Sequence, residues 1–294
     1  MKVSGFSFCR NAVRLYYPIE ESIRSALSIV DEYVIAVGEG DDSTRSVIES
    51  IGDPKIRIID TQWDESRFVR GQTNSEQTNI ALDACDGDWC LYLQADEVLH
   101  EDDHPAILAA MRRSAGRPEV EGLLFDYLHF WATYGHVQRA RNWYRHEVRV
   151  VRGGIGARSW TDAQGFRIGN RKLRVVRSGA RIFHYGWVRP PRLMNQKTIA
   201  LATLYYGPEG AKKRHPDAGE PFDYGPLTHL EPFAGTHPGV MAQRIRDRDW
   251  ELPDPGPQGM AHEHNRWWSR ALGWVERNIL RTRLGEYRNY ELID

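Results

Sequence analysis

Short apolar runs alternate with amphipathic stretches through the first hundred positions. VSGFSF (3–8), EYVIAVG (32–38), KIRIID (55–60) and WCLYL (89–93) have the length and composition of strands. Between the first two, PIEESIRSALSIV (18–30) places Ile19, Ile23, Ala26, Leu27 and Val30 on one helical face, and Pro18 suits the first turn. Residues 43–51 and 74–84 read as two further helices, the first followed by a turn at Gly52, Asp53 and Pro54, the second stopped by Gly87. This alternation predicts an α/β domain with a mostly parallel sheet. Ligands of such sheets bind beyond the carboxyl ends of the strands. Three polar clusters fall at such ends: CRN (9–11), GEGDDST (38–44) and QADE (94–97).

After residue 100 the pattern changes. A helix is expected over 105–114, an aromatic-rich strand over 122–131, an alternating strand with a glycine turn over 146–154, and a hairpin-like pair over 172–187. A helix over 190–206 follows, then a segment (207–261) punctuated by Pro, Gly and His, and finally a basic amphipathic helix over 266–284. The expected organisation is an α/β half (1–100), an α+β half built onto the edge of the same sheet (101–190), and a loop-rich, helical extension (191–294). The last helix sets Trp267, Trp268 and Trp274 beside Arg266, Arg270, Arg277, Arg281 and Arg283. That pattern suits an anionic membrane surface, and equally packing on its own domain or on a second subunit.

Composition narrows the classes. A chain of 294 residues holds one large domain or two small ones, and 41% hydrophobic with 27% charged residues is globular. A formal net charge of −1 gives no electrostatic case for a nucleic-acid partner. Cys9, Cys85 and Cys90 form no CxxC pair, and an odd number leaves one unpaired, which points to a reducing compartment rather than a disulfide framework or zinc ribbon. No apolar run nears the ~20 residues of a membrane span, and the first residues lack the apolar core of a signal peptide. The cytoplasm is therefore the expected location. Ten tryptophans offer flat faces that suit sugar rings. Trp63, Trp131, Trp143 and Trp160 are candidates for such stacking, although core packing is the commoner fate of a tryptophan.

Alternate residues of a strand point the same way, so Gln94 and Asp96 share one side of a strand end. A carboxylate there can hold Mg2+ or Mn2+, hard ions often shared with substrate phosphates; the plain alternative is a surface turn with two acids. In GEGDDST the glycines let backbone approach a ligand, and Glu39, Asp41 and Asp42 offer acceptors to ribose hydroxyls or a base edge. Asp42 or Ser43 can also cap the following helix. Neither GxGxxG nor GxxxxGK[ST] occurs. Arg145 and Arg149, on an alternating strand, face phosphate or form its solvated side. His262 and His264 in AHEH are too isolated for a metal site.

RNAVRLYYPIEESIRSAL, VDEYVIAVGEGDDST and QTNIALDACDGDWCLYLQADEVLH together resemble the N-terminal half of family-2-like glycosyltransferases with the GT-A fold. The likeness is densest over residues 3–100 and continues more thinly in FHYGWVRPPRLMNQK (183–197) and LEPFAGTHPGVM (230–241). It implies a nucleoside-diphosphate sugar, UDP- or GDP-linked, lying across the strand ends, with a divalent metal (Mn2+ or Mg2+) bridging its diphosphate to Asp96. By the same resemblance Arg10, Asn11, Glu39 and Asp42 lie near the nucleoside, Gln77 and Asn79 near the diphosphate or sugar, and His184 completes the metal shell. The first acid of the family's DxD triplet is Gln94 here, which supplies no charge; Asp96 and His184 must then do more of the holding, with help from Glu97.

Glycosyl transfer needs a neutralised leaving diphosphate and a base for the acceptor hydroxyl. In an inverting single displacement one carboxylate suffices. Asp162, in RSWTDAQGF, lies where related enzymes carry an acid after a tryptophan; Glu147, Asp126 and Glu231 compete with it. The acceptor expected is a saccharide or glycolipid. Two other classes remain open. A non-catalytic carbohydrate-binding protein of the same fold would explain Gln94. A sugar nucleotidylyltransferase would want a glycine-rich phosphate loop after the first strand, and SFCRNAVRL has none.

Overall fold

The four apolar runs of the first hundred residues become the parallel strands β1 (Val3–Cys9), β2 (Glu32–Gly38), β3 (Ile56–Thr61) and β4 (Trp89–Tyr92), in the order β3-β2-β1-β4. The computed structural model describes residues 1–294 apart from 65, 67, 216–218, 281, 282, 284 and 294, and apart from the side chain of residue 277. The runs are continuous because both faces of the sheet are covered. Tyr33, Ile35 and Val37 pack on one side with helix α1 (Ile19–Leu27) and with Ile48 of α2 (Thr44–Ser50). Val34 and Ala36 pack on the other with Ala81 of α3 (Gln72–Asp83). The α/β architecture expected from the pattern is the one found.

Beyond β4 the chain adds short β5 (Glu97–Leu99), helix α4 (His104–Ser114) and strands β6 (Gly122–Trp131), β7 (His136–Gln138), β8 (His146–Arg152), β9 (Arg158–Trp160), β10 (Gly165–Ile168) and β11 (Arg171–Trp187). The sheet continues as β4-β8-β6-β11-β10-β9, with β8 antiparallel to both neighbours and β11 parallel to β6. One sheet thus runs through both expected halves. The pair expected over 172–187 is a single long strand, β11, bent rather than folded back. Its Ser-Gly punctuation makes a bulge: Gly179 has φ 76°, Ser178 Oγ donates to the Leu124 carbonyl at 2.9 Å, and the Ala180 N–H donates to Ser178 Oγ at 3.1 Å.

The remainder comprises α5 (Pro191–Arg214), β12 (Glu231–Pro232), α6 (Ala242–Arg246), α7 (Pro257–Met260), α8 (Trp267–Val275) and β13 (Tyr290–Leu292). β13 returns to pair in parallel with β11, so the C-terminal part is not wholly outside the sheet. The helix expected over 266–284 is α8 followed by a π turn, Glu276–Leu280. Of the arginines assigned to it, 281 lies outside the described residues, as does the side chain of 277. Trp267, Trp268 and Trp274 are exposed. No described helix is long and apolar enough to cross a membrane.

α5 is longer than expected and bends where Gly207 (φ 70°) precedes Pro208. Proline has no N–H and cannot bond the carbonyl four residues back, that of Leu204. That carbonyl instead accepts from Gly71 N–H at 3.2 Å, and the Tyr205 carbonyl accepts from Arg70 N–H at 3.1 Å. Arg70 and Gly71 reach this position in left-handed conformations (φ 53° and 71°). The break in the helix is thus what docks it across the strand ends.

The deepest polar contact lies where β5 meets β8. Glu97 and Arg149 are fully buried, joined by Arg149 Nε to Oε2 and Nη2 to Oε1, both 2.8 Å. Tyr127 Oη donates to the same carboxylate at 2.7 Å, and Gln94 N–H at 3.1 Å. The guanidinium lies between the rings of Tyr92 and Tyr127, 5.2 and 5.4 Å from their centroids. Arg149 therefore faces neither phosphate nor solvent, and Glu97 is committed to it rather than to a metal. Both carboxylate oxygens and all three guanidinium nitrogens are engaged, which is the condition for such a pair to be tolerated. Replacing Arg149 with Met should strip Glu97 of its counter-charge and cost about 3–5 kcal/mol. The double change Glu97→Gln with Arg149→Met should recover a large part, as measured by urea denaturation; equal losses in the two variants would show that packing, not charge, is at stake.

Candidate functional site

The ends of β1 and β4, the 160–164 loop and α5 enclose a cleft of about 480 Å³. Asp96 stands at its centre, at the turn between β4 and β5. β5 runs antiparallel to β11 with Glu97 opposite His184, and the ladder continues through Tyr185 N–H to the Asp96 carbonyl at 2.8 Å. Successive side chains alternate in direction: Glu97 goes to Arg149, and Asp96 goes to His184. Asp96 Oδ2 lies 3.6 Å from His184 Nε2 and 3.6 Å from Lys197 Nζ. Burial alone would lift this carboxyl, but His184, Lys197 and Arg189 outweigh it and hold it well below the usual carboxylate range.

The orientation of His184 is fixed from behind. A carbonyl only accepts, so His129 Nε2, 2.7 Å from the Tyr144 carbonyl, carries a proton. Burial, reinforced by His184, holds His129 well below its ordinary value and therefore neutral. Its Nδ1 is then an acceptor, and the partner 2.9 Å away, His184 Nδ1, must donate. In the neutral ring this leaves the lone pair of His184 on Nε2, facing the carboxylate. Two electron-rich groups facing each other call for a cation: a proton on Nε2, an ammonium, or a metal. Bonds of ~2.1 Å to a divalent ion from both atoms are compatible with their separation. Gly186 keeps the space open, since a Cβ there would lie 2.5 Å from Asp96 Oδ2 and 2.6 Å from His184 Nε2. The donor set therefore fits a hard divalent ion. Two protein ligands are few, and no cluster of three or more His, Cys, Asp or Glu occurs among the described residues; a bound substrate would have to supply the rest.

To one side of Asp96 the cleft is walled by Phe8, Trp63 and Phe68, with the Arg10 guanidinium 5.5 Å over the Trp63 ring. Asn11, in a left-handed conformation (φ 53°), accepts from Asp41 N–H at 3.0 Å and so ties the CRN turn to the acidic loop. Asp42 accepts from Arg14 N–H (2.8 Å) and Thr44 N–H (3.0 Å), the latter at the start of α2. Glu39 is exposed, and its carbonyl accepts from Arg10 Nε at 2.8 Å. Neither Glu39 nor Asp42 lines the cleft; Arg14 does.

The 160–164 loop also lines the cleft. Thr161 and Ala163 both have positive φ (50° and 67°), unfavourable for non-glycine residues and more so for a β-branched one. Between them Asp162 faces the cleft, and its carboxylate accepts from Thr161 Oγ1 at 3.2 Å and from the Tyr205 hydroxyl. Gly71 backs this pair, and a Cβ there would meet Asp162 at 2.9 Å. Gln94, which also lines the cleft, donates to the Ala163 carbonyl at 3.1 Å. It is thus a strut between β4 and the loop as well as a cleft residue.

The structure therefore brings together Arg10, Asn11, Gln94, Asp96, Asp162 and His184. Gln77 is buried and accepts from Thr61 Oγ1 at 2.6 Å, and Asn79 accepts from Ser159 N–H at 2.8 Å. Both hold α3 in place outside the cleft, whose residue from that helix is Asn74. Trp63 and Trp143 line the cleft; Trp131 is buried, and its indole N–H donates to the Tyr224 carbonyl at 3.0 Å. Trp160 lies outside, beneath the Arg167 guanidinium. Among the other candidate bases, Asp126 pairs with His146, Glu231 with Arg139, and Glu147 is buried behind the loop. Lys197, Trp187 and Tyr17 are cleft residues that the sequence reading missed.

No protein-family model and no curated protein sequence matches the chain. Among solved structures it is similar to S. aureus TarS, at 13% identity and a TM-score of 0.38 over 69% of this chain and 39% of that one. It is also similar to 4-diphosphocytidyl-2C-methyl-D-erythritol synthase (13%, 0.34, 52% and 76%). A third is glucosyl-3-phosphoglycerate synthase from Mycobacterium tuberculosis in complex with Mn2+, uridine diphosphate and glucosyl-3-phosphoglycerate (15%, 0.29, 44% of each chain). The chain thus spans well under half of TarS, and at these scores the likeness decides nothing about activity.

Glu147 offers a test of the loop's electrostatics. Its Oε1 accepts from Gln164 Nε2 at 2.8 Å while Oε2 has no protein partner. Burial lifts its carboxyl to about 7, with Arg149 and Gln164 pulling the other way and Glu97 and Asp162 adding to the rise. The native state then binds this proton more tightly than the unfolded chain, so stability is fully present below the unfolded value near ~4.3 and is lost as pH rises through about 7. The loss is on the order of 3 kcal/mol. Glu147→Gln should flatten this slope between about pH 5 and about pH 8 in urea titrations. An unchanged slope would mean that Glu147 is already ionised in the folded protein.

Proposed function

We propose that the chain is a glycosyltransferase that takes a sugar from a nucleoside-diphosphate donor and transfers it to an acceptor hydroxyl. The observation that carries this reading is the Asp96–His184 pair, held 3.6 Å apart in one cleft that Trp63, Phe68, Arg10 and the Asp162 carboxylate also line. A flat wall of Trp63 and Phe68 with Arg10 and Asn11 suits a nucleobase and ribose. The resemblance of residues 3–100 to family-2-like glycosyltransferases supports the same assignment, and the α/β layout agrees with a GT-A fold.

Asp96 and His184 Nε2 would hold Mn2+ or Mg2+. Such an ion supplies charge to the diphosphate as it departs. The remaining work falls to the chain itself. His129 and the Tyr144 carbonyl keep the His184 lone pair on Nε2. Gln94 spans from the donor side to the loop that bears Asp162. Asp162 accepts the proton of the acceptor hydroxyl as that oxygen bonds to the anomeric carbon, and the carbon–oxygen bond to the diphosphate breaks. One base on the face opposite the leaving group makes this a single displacement with inversion. Trp143 and Trp187, which also line the cleft, offer faces for a saccharide or the glycan of a glycolipid.

Isothermal titration with UDP and with GDP, each with and without Mn2+, tests the donor assignment. Metal-enhanced binding of one of them in the wild type, lost in Asp96→Ala, is the expected result; sugar binding with no affinity for either nucleotide would instead mark a carbohydrate-binding protein. Asp162→Asn should lower donor turnover by about 10²-fold or more while leaving nucleotide affinity within about threefold. Near-normal turnover in that variant would move the base to another residue.

A further inference from the structure

The Asp96 carboxylate already has basic partners before any metal arrives. Two buried basic side chains stand beside Asp96. Lys197 Nζ is 3.6 Å from Oδ2 and donates to the Gly186 carbonyl at 2.6 Å. The fully buried Arg189 donates to the same carbonyl from Nη2 at 2.8 Å and to the Leu15 carbonyl from Nη1. Tyr17 lies under both, with its ring centroid 4.6 Å from the guanidinium and 5.5 Å from the ammonium. Glu97, the neighbouring acid, is consumed by Arg149. Burial and the Arg189 guanidinium pull the Lys197 ammonium down to about 7 while Asp96 holds it up, so one carboxylate here serves two basic side chains.

Arg189 is spoken for by backbone carbonyls and does not line the cleft, whereas Lys197 does. An ammonium has three N–H donors, of which one goes to Gly186 and one can serve Asp96. A donor remains for a third partner. Lys197 sits two helical turns before Tyr205 on α5, the helix whose Tyr205 meets Asp162. At 1.5 Å per residue the two are ~12 Å apart along the axis, room for a diphosphate at one end and a reacting hydroxyl at the other.

We propose that Lys197 is a built-in cation for the donor's diphosphate, occupying Asp96 when the cleft is empty and turning a free N–H onto the phosphate oxygens when a donor binds. This rests on the nucleotide-sugar reading above and adds a catalytic residue to it. As the anomeric carbon–oxygen bond breaks, its electron pair stays on the diphosphate oxygen, and the Lys197 charge stabilises it there without giving up its proton. A divalent ion entering beside Asp96 must compete with this ammonium, so the lysine and the metal share one task. Gln94, where an acid would strengthen metal binding, fits a site that leans on a fixed cation.

Titration of UDP and GDP in EDTA, and of Mn2+ alone, into the wild type, Lys197→Gln and Lys197→Arg tests this. The wild type should bind one of the nucleotides in EDTA, and Lys197→Gln should weaken that binding about tenfold or more, the worth of a charge-assisted hydrogen bond. Lys197→Arg, which keeps the charge, should retain more nucleotide binding than Lys197→Gln. Mn2+ alone should bind Lys197→Gln more tightly than wild type, an effect in the opposite direction that a misfolded variant would not show. The inference is overturned if Lys197→Gln binds nucleotide in EDTA as wild type does, if the wild type binds only with Mn2+ present, or if the substitution weakens Mn2+ binding. If the wild type binds neither nucleotide even with Mn2+, the donor reading itself fails.

Discussion

Two adjacent acids lie where the turn after β4 enters β5, and the structure depends on keeping their fates separate. A carboxylate taken out of water is tolerated only with a counter-charge and filled hydrogen bonds. Glu97 receives both from Arg149, Tyr127 and the Gln94 backbone. Because neighbouring side chains of an extended chain point oppositely, fixing Glu97 inward commits Asp96 to the cleft. The same guanidinium donates from Nη1 to the Gln164 carbonyl at 2.9 Å, two residues beyond Asp162. One buried pair thus sets the position of the central acid and anchors the loop that carries the second.

The cleft's electrostatics follow from which charged groups line it. Arg149 and Glu97 cancel each other, and Arg189 is fixed to backbone carbonyls. Asp96, Lys197 and His184 meet in the cleft, which Asp162, Arg10 and Arg14 also line, Arg10 bonded to the Glu39 carbonyl and Arg14 paired with Asp41. A ligand with a negative middle, a flat aromatic end and a neutral hydroxylated end meets a complementary group at each point. A phosphate-free sugar would leave Lys197 with no partner beyond Asp96 and the Gly186 carbonyl. That is why the charge layout favours a diphosphate-linked donor over a lectin-like ligand.

Much of this was legible in the sequence where burial on both faces enforces an unbroken apolar run: β1, β2 and β4 fall within a residue or two of their expected ranges. The QADE cluster could be placed at a strand end for the same reason. Long-range geometry was not legible. Arg149 sits in a strand that alternates, HEVRVVR, so a solvated arginine was the natural expectation; nothing local says that both faces are covered and that Glu97 waits opposite. In α3, a helix with little amphipathic contrast, the sequence could not say that Asn74 rather than Gln77 or Asn79 meets the cleft. In β11, Ser178 and Gly179 carry turn chemistry, yet the flanking strand pairs with β6 on both sides and the turn becomes a bulge. Lys197 had a faint signal, four residues before Leu201 and eight before Tyr205 on one helical face, but only the fold shows that this face lies against Asp96.

α5 converts these local facts into a single site. A straight helix would satisfy the Leu204 carbonyl internally and have no backbone reason to meet the turn at Arg70 and Gly71. Pro208 removes that internal bond, and an unpaired buried carbonyl is costly enough that it must find a donor. The donor it finds belongs to a turn in which Gly71 takes a left-handed conformation and, lacking a Cβ, leaves room for Asp162 and Tyr205 to approach. The helix is thereby held at one end through Tyr205 and at the other through Lys197 on the Gly186 carbonyl. The proline that breaks the helix is therefore part of what sets the distance between the cation and the candidate base.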